Sequence, residues 1–589
     1  MQYHKGYSEK YWPFLYSLDA FLVIISIAYL LSLIIEFGLP LTPFYESLLG
    51  YFNLVVVVIS LLELFTKFIL SSSKAYFIKD EYVDFVFTHL LIFSALYVCY
   101  VHFFKLGFPF HPAYLVRPME NHWIFFKIVL IFNVLIQFKE FSRLVAALKI
   151  QPPHLLVWGF FILIALGTLL LLLPSSTLHK ISPIDALFMA TSSACVTGLA
   201  TLQPATDFTF PGQLILLSLF QIGGLGIMTI GAFIAIALRG GFGIEGRKIM
   251  SESIELRAQH QLYALMKQII KFTLFMEMLG AAVLSWRFYL IFHDISKSIY
   301  HGIFHSVSAF CNAGLSIQVA NLIPFQKDPY ILLTMSVLII FGGIGFLVIS
   351  DLSHYFSFRK KTEPHHYLTM QSKVVLLVTF FLILGGTLLI YFTEQNNQLS
   401  GLPFHYQILN AYFQAVTPRT AGFNSIDIGL LNSATLLTLM ALMVVGGGSG
   451  STAGGIKVNT FAILLSLIRA TIKGKDRVVI FERVIPSSTV NKAIAITFFS
   501  MIITVTASFL ILTHDHFPFI QVVFEAISAF NTVGLSMGIT PQLSDFSKIA
   551  ISLLMFIGRI GPISFVVALT LKEKKEEYID FPEENILVG

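Results

Sequence analysis

Residues 525–537 read EAISAFNTVGLSM, and three earlier stretches of the chain follow the same pattern. They are MATSSACVTGLAT at 189–201, HSVSAFCNAGLSI at 305–317 and QAVTPRTAGFNSI at 414–426. Each places two small, polar or β-branched residues before a glycine and an apolar residue after it. The glycines, at intervals of 116, 108 and 112 residues, are Gly198, Gly314, Gly422 and Gly534. Such regular spacing indicates an internal repeat.

The composition indicates that the surroundings of these repeats are a lipid bilayer. The chain has 589 residues, of which 56% are hydrophobic and 12% charged, whereas soluble domains carry roughly 25% charged residues. Stretches of about 20 apolar residues predict about twelve membrane-spanning helices. They lie near 19–38, 51–70, 84–104, 122–138, 155–174, 212–238, 264–292, 330–350, 373–393, 434–468, 491–513 and 548–571. Three cysteines are too few for a disulfide scaffold.

Basic residues gather in short loops, which predicts the orientation of the helices. The loops are 239–257, 359–373 and 469–483, with a tail at 572–575. The positive-inside rule places them, and with them both termini, in the cytoplasm. Since no basic surface lies outside these loops, nucleic-acid binding is excluded.

Each repeated stretch overlaps the end of a segment that is too short to span a bilayer and too apolar for an ordinary loop. These segments, on the outer side, are 185–197, 301–313, 405–420 and 517–531. Non-helical backbone at membrane depth must be buried in protein or line a pore, so re-entrant helices are predicted.

The residues around the four glycines predict a K⁺ selectivity filter. Such a filter replaces the water shell of the ion with backbone carbonyls, and glycine permits the positive φ angles that this needs. The last copy shares TVG with the potassium-channel filter TVGYG, and no copy carries Asp or Glu there, which disfavours a divalent-cation pore. The transported ion, K⁺ or alternatively Na⁺, would be bound through filter carbonyls without a covalent cofactor. The predicted filter residues are Val196, Thr197, Gly198, Asn312, Ala313, Gly314, Thr420, Ala421, Gly422, Thr532, Val533 and Gly534.

A second unusual stretch, VVGGGSGSTAGGIK at 444–457, lies inside the apolar segment 434–468. Glycine costs about 1 kcal/mol per site in a helix, so this stretch should break the helix and form a gate below the filter. Close packing of helices through small residues is the alternative. A phosphate-binding loop is excluded because the G-K-[ST] ending is missing. The predicted gate glycines are Gly446, Gly447, Gly448, Gly450, Gly454 and Gly455.

Arg559 is the other predicted gate residue, because it lies well within the last apolar segment. An arginine at that depth needs a wet cavity or carbonyl partners, and its charge below the filter would repel cations. Snorkelling to the membrane interface is the alternative. The glycine clusters at 221–228 and 341–348 are interpreted as helix-packing contacts, and Asp351 as a solvated helix end.

Over roughly residues 150–589 these features resemble the Trk/Ktr/HKT superfamily of K⁺ and Na⁺ transporters. The resemblance implies an all-α polytopic membrane protein with four helix–pore loop–helix repeats in pseudo-fourfold symmetry and one filter glycine from each. It also implies an intramembrane loop in the third repeat and a basic residue in the fourth. In plant members a serine at the first filter position is associated with Na⁺ preference, and this chain has Gly198. Members form dimers that bind a cytoplasmic ring of nucleotide-sensing subunits.

Five regions are therefore expected. About four N-terminal transmembrane helices, in 1–150, precede pore repeats at 151–260, 261–370, 371–488 (with the gate loop) and 489–589 (with the cytoplasmic tail). Charges in the N-terminal region, at Glu63, Lys67 and Asp84, resemble those of a voltage-sensor-type domain. The fourth helix has only Lys127 before the basic residues at its inner end, so its charge ladder is degraded and voltage gating is not expected.

The expected function is K⁺ uptake across the inner membrane of the cell, with a Na⁺-permeable or Na⁺-coupled cation transporter as the alternative. No nucleophile–base arrangement indicates an enzyme, and His514, Asp515 and His516 are interpreted as a solvated outer loop. Expected partners are K⁺, membrane lipid, a second copy in a homodimer and a cytoplasmic nucleotide-binding regulatory subunit. The basic loops 239–257 and 469–483 and the tail 572–575 either bind that subunit or only fix the topology.

Overall fold

The computed structural model describes residues 11–39, 42–71, 152–237, 261–355 and 368–561. This part of the chain is mostly helical, with very little strand. Its first two helices, α1 (Trp12–Gly38) and α2 (Pro43–Leu70), pack against each other. The helices predicted near 84–104 and 122–138 lie outside the described residues, and so do Asp84, Lys127, the loop 239–257 and the tail 572–575.

From residue 152 onward the helices follow one order four times: a long outer helix, a short helix and an inner helix. The outer helices are α3 (Pro152–Leu171), α6 (Gln261–Phe292), α10 (Met370–Glu394) and α14 (Ser487–His514). The short helices are α4 (Pro183–Ala194), α7 (Ile295–Phe310), α11 (Phe404–Val416) and α15 (Phe519–Phe530). The inner helices are α5 (Phe210–Ala237), the pair α8 (Pro329–Ile344) and α9 (Phe346–Tyr355), the pair α12 (Ser433–Val444) and α13 (Val458–Ile472), and α16 (Asp545–Ile560).

The four short helices coincide with the predicted re-entrant segments, and local sequence explains where two of them begin. The Ser182 hydroxyl accepts a hydrogen bond from the Asp185 N–H, and Pro183 follows at the first helical position. The Asp294 carboxylate accepts from the Lys297 N–H in the same way. The first, second and fourth short helices end two residues before their predicted filter residues, and the third ends four residues before them.

Among the described residues, three helices are long and apolar enough to cross a membrane: Gln268–Phe292, Met370–Glu394 and Ser487–His514. The pair α8 and α9 would count as a fourth span, bent by 98°. The continuous span predicted near 330–350 is therefore wrong. Gly345 adopts φ +101° at the bend, a conformation that only glycine adopts freely, and Gly561 has φ +92° at the end of α16.

The glycine-rich stretch breaks the third inner helix, as predicted. α12 ends at Val444 and α13 begins at Val458, and between them the backbone forms a loop, 445–457, hereafter the glycine-rich loop. The two ends of the loop pair through an isolated parallel bridge between Val445 and Ile456. Two predicted repeat boundaries, 370/371 and 488/489, fall inside the first turns of α10 and α14.

The basic loop 469–483, together with Val484 directly after it, forms a small hairpin between strands β1 (Val479–Ile480) and β2 (Arg483–Val484). Its two turn residues, Phe481 and Glu482, both have positive φ, as a type I′ turn requires. The hairpin projects apolar side chains, since Phe481 is 47% exposed.

Candidate cation pathway

The structure brings the four predicted filter glycines together in a closed ring. A Cβ atom built on Gly198 would lie closer than 3.0 Å to the carbonyl oxygen of Ala313 in the next unit. The same relation joins Gly314 to Ala421, Gly422 to Val533 and Gly534 to Thr197. The units therefore follow one another around the ring in chain order, and any side chain at these glycines would collide with a neighbouring filter carbonyl.

The backbone has the same conformation in all four predicted filter segments, 196–198, 312–314, 420–422 and 532–534. In each, the first residue and the glycine have positive φ, and the residue between them does not. The φ values are 56° and 93° at Val196 and Gly198, 60° and 70° at Asn312 and Gly314, 69° and 72° at Thr420 and Gly422, and 50° and 90° at Thr532 and Gly534. Alternating φ turns successive peptide groups, and positive φ at a β-branched residue such as Val196 is strained, at a cost of order 1–3 kcal/mol.

Hydroxyl residues near the ends of the short helices hold this conformation. The Ser192 carbonyl accepts from the Thr197 N–H at 2.8 Å, and its hydroxyl accepts from the Gly198 N–H at 3.1 Å. Ser528 makes the equivalent bonds to Val533 and Gly534, at 2.8 and 3.0 Å. The sequence analysis missed these residues, although a serine six positions before the glycine recurs in the first, second and fourth copies.

In the second and third units, the hydroxyl at the equivalent position donates a hydrogen bond instead of accepting one. Ser308 donates to the Leu315 carbonyl at 2.7 Å, and Thr417 donates to the Phe423 carbonyl at 2.6 Å. In both cases the acceptor is the residue directly after the filter glycine. The third copy is one residue shorter, with Thr417 five positions before Gly422.

Three inner helices approach the short helices through glycine. A Cβ built on Gly223, Gly342 or Gly558 would collide with the last carbonyl of the short helix in the same unit. These carbonyls belong to Ala194, Phe310 and Phe530, respectively. The packing interpretation of the clusters at 221–228 and 341–348 is thus confirmed for Gly223 and Gly342, and Gly558 extends it to the fourth unit.

The glycine-rich loop lies against the first residues of the fourth filter segment and the bend of the second inner helix. Cβ atoms built on Gly454 and Gly455 would collide with the side chains of Thr532 and Asn531, respectively. The Gly448 N–H donates to the Gly343 carbonyl at 2.8 Å.

The middle of the loop is anchored by Thr452. Its hydroxyl lies 3.0 Å from the Gly342 carbonyl and 3.3 Å from the Phe310 carbonyl. The Phe346 N–H, just after the bend, donates to the Gly450 carbonyl at 3.0 Å. The loop is therefore packed within the protein through backbone contacts, which satisfies polar groups that lipid could not.

Arg559 joins this loop to the first inner helix. Its guanidinium donates to the Thr452 carbonyl and, at 2.5 Å, to the Gly223 carbonyl. A longer bond of 3.4 Å reaches the Gly224 carbonyl. The side chain is 4% exposed, so it does not snorkel to an interface but is held by carbonyl partners.

Two other residues that the sequence analysis considered have structural partners. Asp351 accepts hydrogen bonds of 2.5 Å from the hydroxyls of Thr369 and Ser372, and so it ties the end of α9 to the start of α10. The His514 ring stacks on Phe546 with centroids 4.0 Å apart. Within the described ranges, no group of three or more His, Cys, Asp or Glu side chains could hold a metal ion.

The fold and the ring together define a class: a helical membrane protein in which four short helices lead into one ring of glycines. The chain belongs to the TrkH family of cation transport proteins, since the sequence model of that family matches residues 118–579. Proteins of this family are transporters and not enzymes.

The sequences of several relatives align with most of this chain. The Ktr system potassium uptake protein B of Bacillus subtilis is 37% identical over 76% of this chain and 99% of its own length. The potassium/sodium uptake protein NtpJ of Enterococcus hirae is 38% identical over 75% of this chain and 98% of its own. The crystal structure of the potassium transporter TrkH from Vibrio parahaemolyticus shares the fold, with a TM-score of 0.57, 18% identity and coverage of 82% and 97% of the two chains.

Proposed function

We propose that this protein takes up K⁺ across the cytoplasmic membrane through a filter made by the four glycine-centred segments. The observation that carries the proposal is the closed ring, in which all four segments share the same alternation of φ. Rings of backbone carbonyls without acidic side chains suit a monovalent cation. The names of the relatives, potassium uptake protein B and potassium/sodium uptake protein, support a role in potassium uptake.

Na⁺ permeation or Na⁺ coupling is the second candidate, because one relative is named for both ions. Gly198 favours K⁺, because in plant members of the superfamily that this chain resembles a serine at this position is associated with Na⁺ preference. The ring is formed by glycine at all four positions, and a Cβ atom at any of them would lie within 2.9 Å of a neighbouring carbonyl oxygen.

We propose that the glycine-rich loop and Arg559 form the gate. The loop touches the first residue of the fourth filter segment, and Arg559 ties it to α5 on the opposite side. Movement of the loop would require these bonds to break, so their strength would set the balance between closed and open states.

We further propose a homodimer in the inner membrane, surrounded by lipid, with both termini cytoplasmic and the four repeats as the pore domain. A cytoplasmic nucleotide-binding subunit would dock on the basic loops. The hairpin in 469–483 supports this surface, because exposed Val479, Phe481 and Val484 lie beside Arg477 and Arg483. Apolar anchors surrounded by positive charge suit an acidic partner surface.

Growth of a K⁺-uptake-deficient bacterium at low K⁺ tests the proposed function. Wild-type protein should restore growth, and Gly422→Ser should not, because its side chain would collide with the Val533 carbonyl and Gly422 has φ +72°. Gly401→Ser is the matched control, since nothing lies within 4 Å of a Cβ there. Failure of the wild-type protein to support growth would overturn the proposal.

A further inference from the structure

Two of the four short helices carry a buried ionisable side chain three residues before the serine near the filter. His305 precedes Ser308 on α7, and Glu525 precedes Ser528 on α15. Both are buried, with exposures of 0% and 1%. Such groups are costly to bury unless hydrogen bonds satisfy them, so their partners are informative.

His305 forms a hydrogen-bonded connection between the short helix α7 and the segment that directly follows the filter residues in the sequence. Its Nδ1 lies 2.8 Å from the His301 carbonyl, which can only accept, so Nδ1 carries the proton and Nε2 accepts. Nε2 lies 2.9 Å from the Ser316 hydroxyl, which therefore donates. Ser316 is the second residue after Gly314, and its oxygen accepts from the Gln318 N–H at 3.0 Å.

Glu525 makes the corresponding connection with one additional hydroxyl. Its Oε1 accepts from the Thr540 hydroxyl, and the Thr540 oxygen lies 3.0 Å from the Ser536 oxygen. Ser536 is the second residue after Gly534, and its oxygen accepts from the Gly538 N–H at 2.9 Å. The serine turn beyond the filter is thus the same in both units.

The remaining two units lack this connection. The first has Met189 at the position of His305 and Ala200 at the position of Ser316, so no side-chain hydrogen bond can form. In the third, both polar atoms of the Gln414 side chain are without partners among the described residues. Because the units follow chain order around the ring, the two connected units lie across a diagonal from each other.

We propose that His305 and Glu525 are positioning residues for ion selection, which hold the filter backbone at Gly314 and Gly534 on one diagonal of the ring. This inference rests on the proposed function of the ring as a K⁺ filter. A ring of carbonyls discriminates between ions through its dimensions and through the number and stiffness of its oxygens. Loss of either connection frees the chain directly beyond the filter glycine and weakens rejection of the smaller Na⁺.

Uptake of K⁺ and Na⁺ by the purified full-length protein in liposomes tests the inference. Ser316→Ala and Ser536→Ala each remove one hydroxyl with little change in volume. We expect each to raise the ratio of Na⁺ to K⁺ uptake about two- to tenfold, the range that corresponds to one net hydrogen bond. Met189→Leu in the first unit is the matched control and should leave the ratio unchanged.

Exchanges at the partner residue separate positioning from simple structural support. His305→Leu should raise the ratio of Na⁺ to K⁺ uptake as much as Ser316→Ala does. The double variant should raise this ratio no further, because both substitutions remove the same interaction. His305→Gln, whose amide oxygen can accept from the Ser316 hydroxyl as Nε2 does, should restore most of the selectivity. Should His305→Leu fail to fold, the two serine variants still decide the question.

The outcomes distinguish the inference from the function on which it rests. If the wild-type protein does not prefer K⁺, the proposed filter fails. If the wild-type protein prefers K⁺ and both serine variants retain its ratio within twofold, the filter stands and the positioning role of His305 and Glu525 is overturned.

Discussion

At the scale of single residues, Arg559 shows how a charge becomes tolerable inside a helical membrane protein. Its guanidinium is surrounded by carbonyl oxygens of Thr452, Gly223 and Gly224, which belong to the glycine-rich loop and to α5. These oxygens are available because the loop is not helical and because glycine lets the helices approach closely. The arginine therefore links two elements that the sequence separates widely.

Replacing Arg559 by glutamine removes the charge but keeps a side chain that can donate hydrogen bonds. We expect K⁺ flux in liposomes to rise several-fold, because charge-assisted bonds hold the loop more strongly than neutral ones and the repulsive charge is lost. Arg559→Lys keeps the charge and should raise the flux less. Equal or lower flux in Arg559→Gln would argue against Arg559 as a gate residue.

At the scale of elements, the inner helices differ more than the short helices do. α5 is continuous from Phe210 to Ala237, whereas the second inner helix bends at Gly345 and the third opens into the glycine-rich loop. The bend positions the glycine-rich loop, because the carbonyl of Gly343 and the N–H of Phe346 both form hydrogen bonds with the loop.

Gly345→Ala should destabilise the protein, because alanine cannot easily adopt φ +101° and its Cβ would lie 2.7 Å from the Ser449 carbonyl oxygen. A loss of about 1–3 kcal/mol is expected, measured as a lower Tm in detergent. Gly385→Ala, on α10 with nothing within 4 Å, is the control and should leave the Tm unchanged or higher. A similar Tm for the two variants would contradict the importance of the bend.

Deletion of 446–455 tests the loop itself. We expect leak flux of K⁺ to increase, because the contacts with Thr532 and Arg559 disappear. Unchanged or reduced flux in protein that still elutes as a single species would refute the gate.

At the scale of the whole molecule, the repeat could be predicted from the sequence because four copies share one glycine-centred pattern. The break at 445–457 could also be predicted, since so many glycines cannot continue a helix. The bend at Gly345 could not, because FGGIGF fits close helix packing equally well, and Gly342 does serve that purpose.

The order of the four units around the ring could not be predicted from the sequence either. Periodicity shows that segments are alike and not which of them touch. The partners of Arg559 are backbone carbonyls, which no residue type identifies in advance. The hydrogen bonds of His305 and Glu525 were not predicted, because their partners follow the filter residues in the sequence at positions that differ between the two units.

The central claim is that the closed ring of four glycine-centred segments selects K⁺. It is tested most directly by comparing K⁺ and Na⁺ uptake by the purified protein in liposomes under matched gradients. We predict that K⁺ uptake exceeds Na⁺ uptake at least tenfold, about 1.4 kcal/mol, and that Gly422→Ala abolishes this preference. Equal uptake of the two ions by the wild-type protein, or an unchanged preference in Gly422→Ala, would contradict the claim.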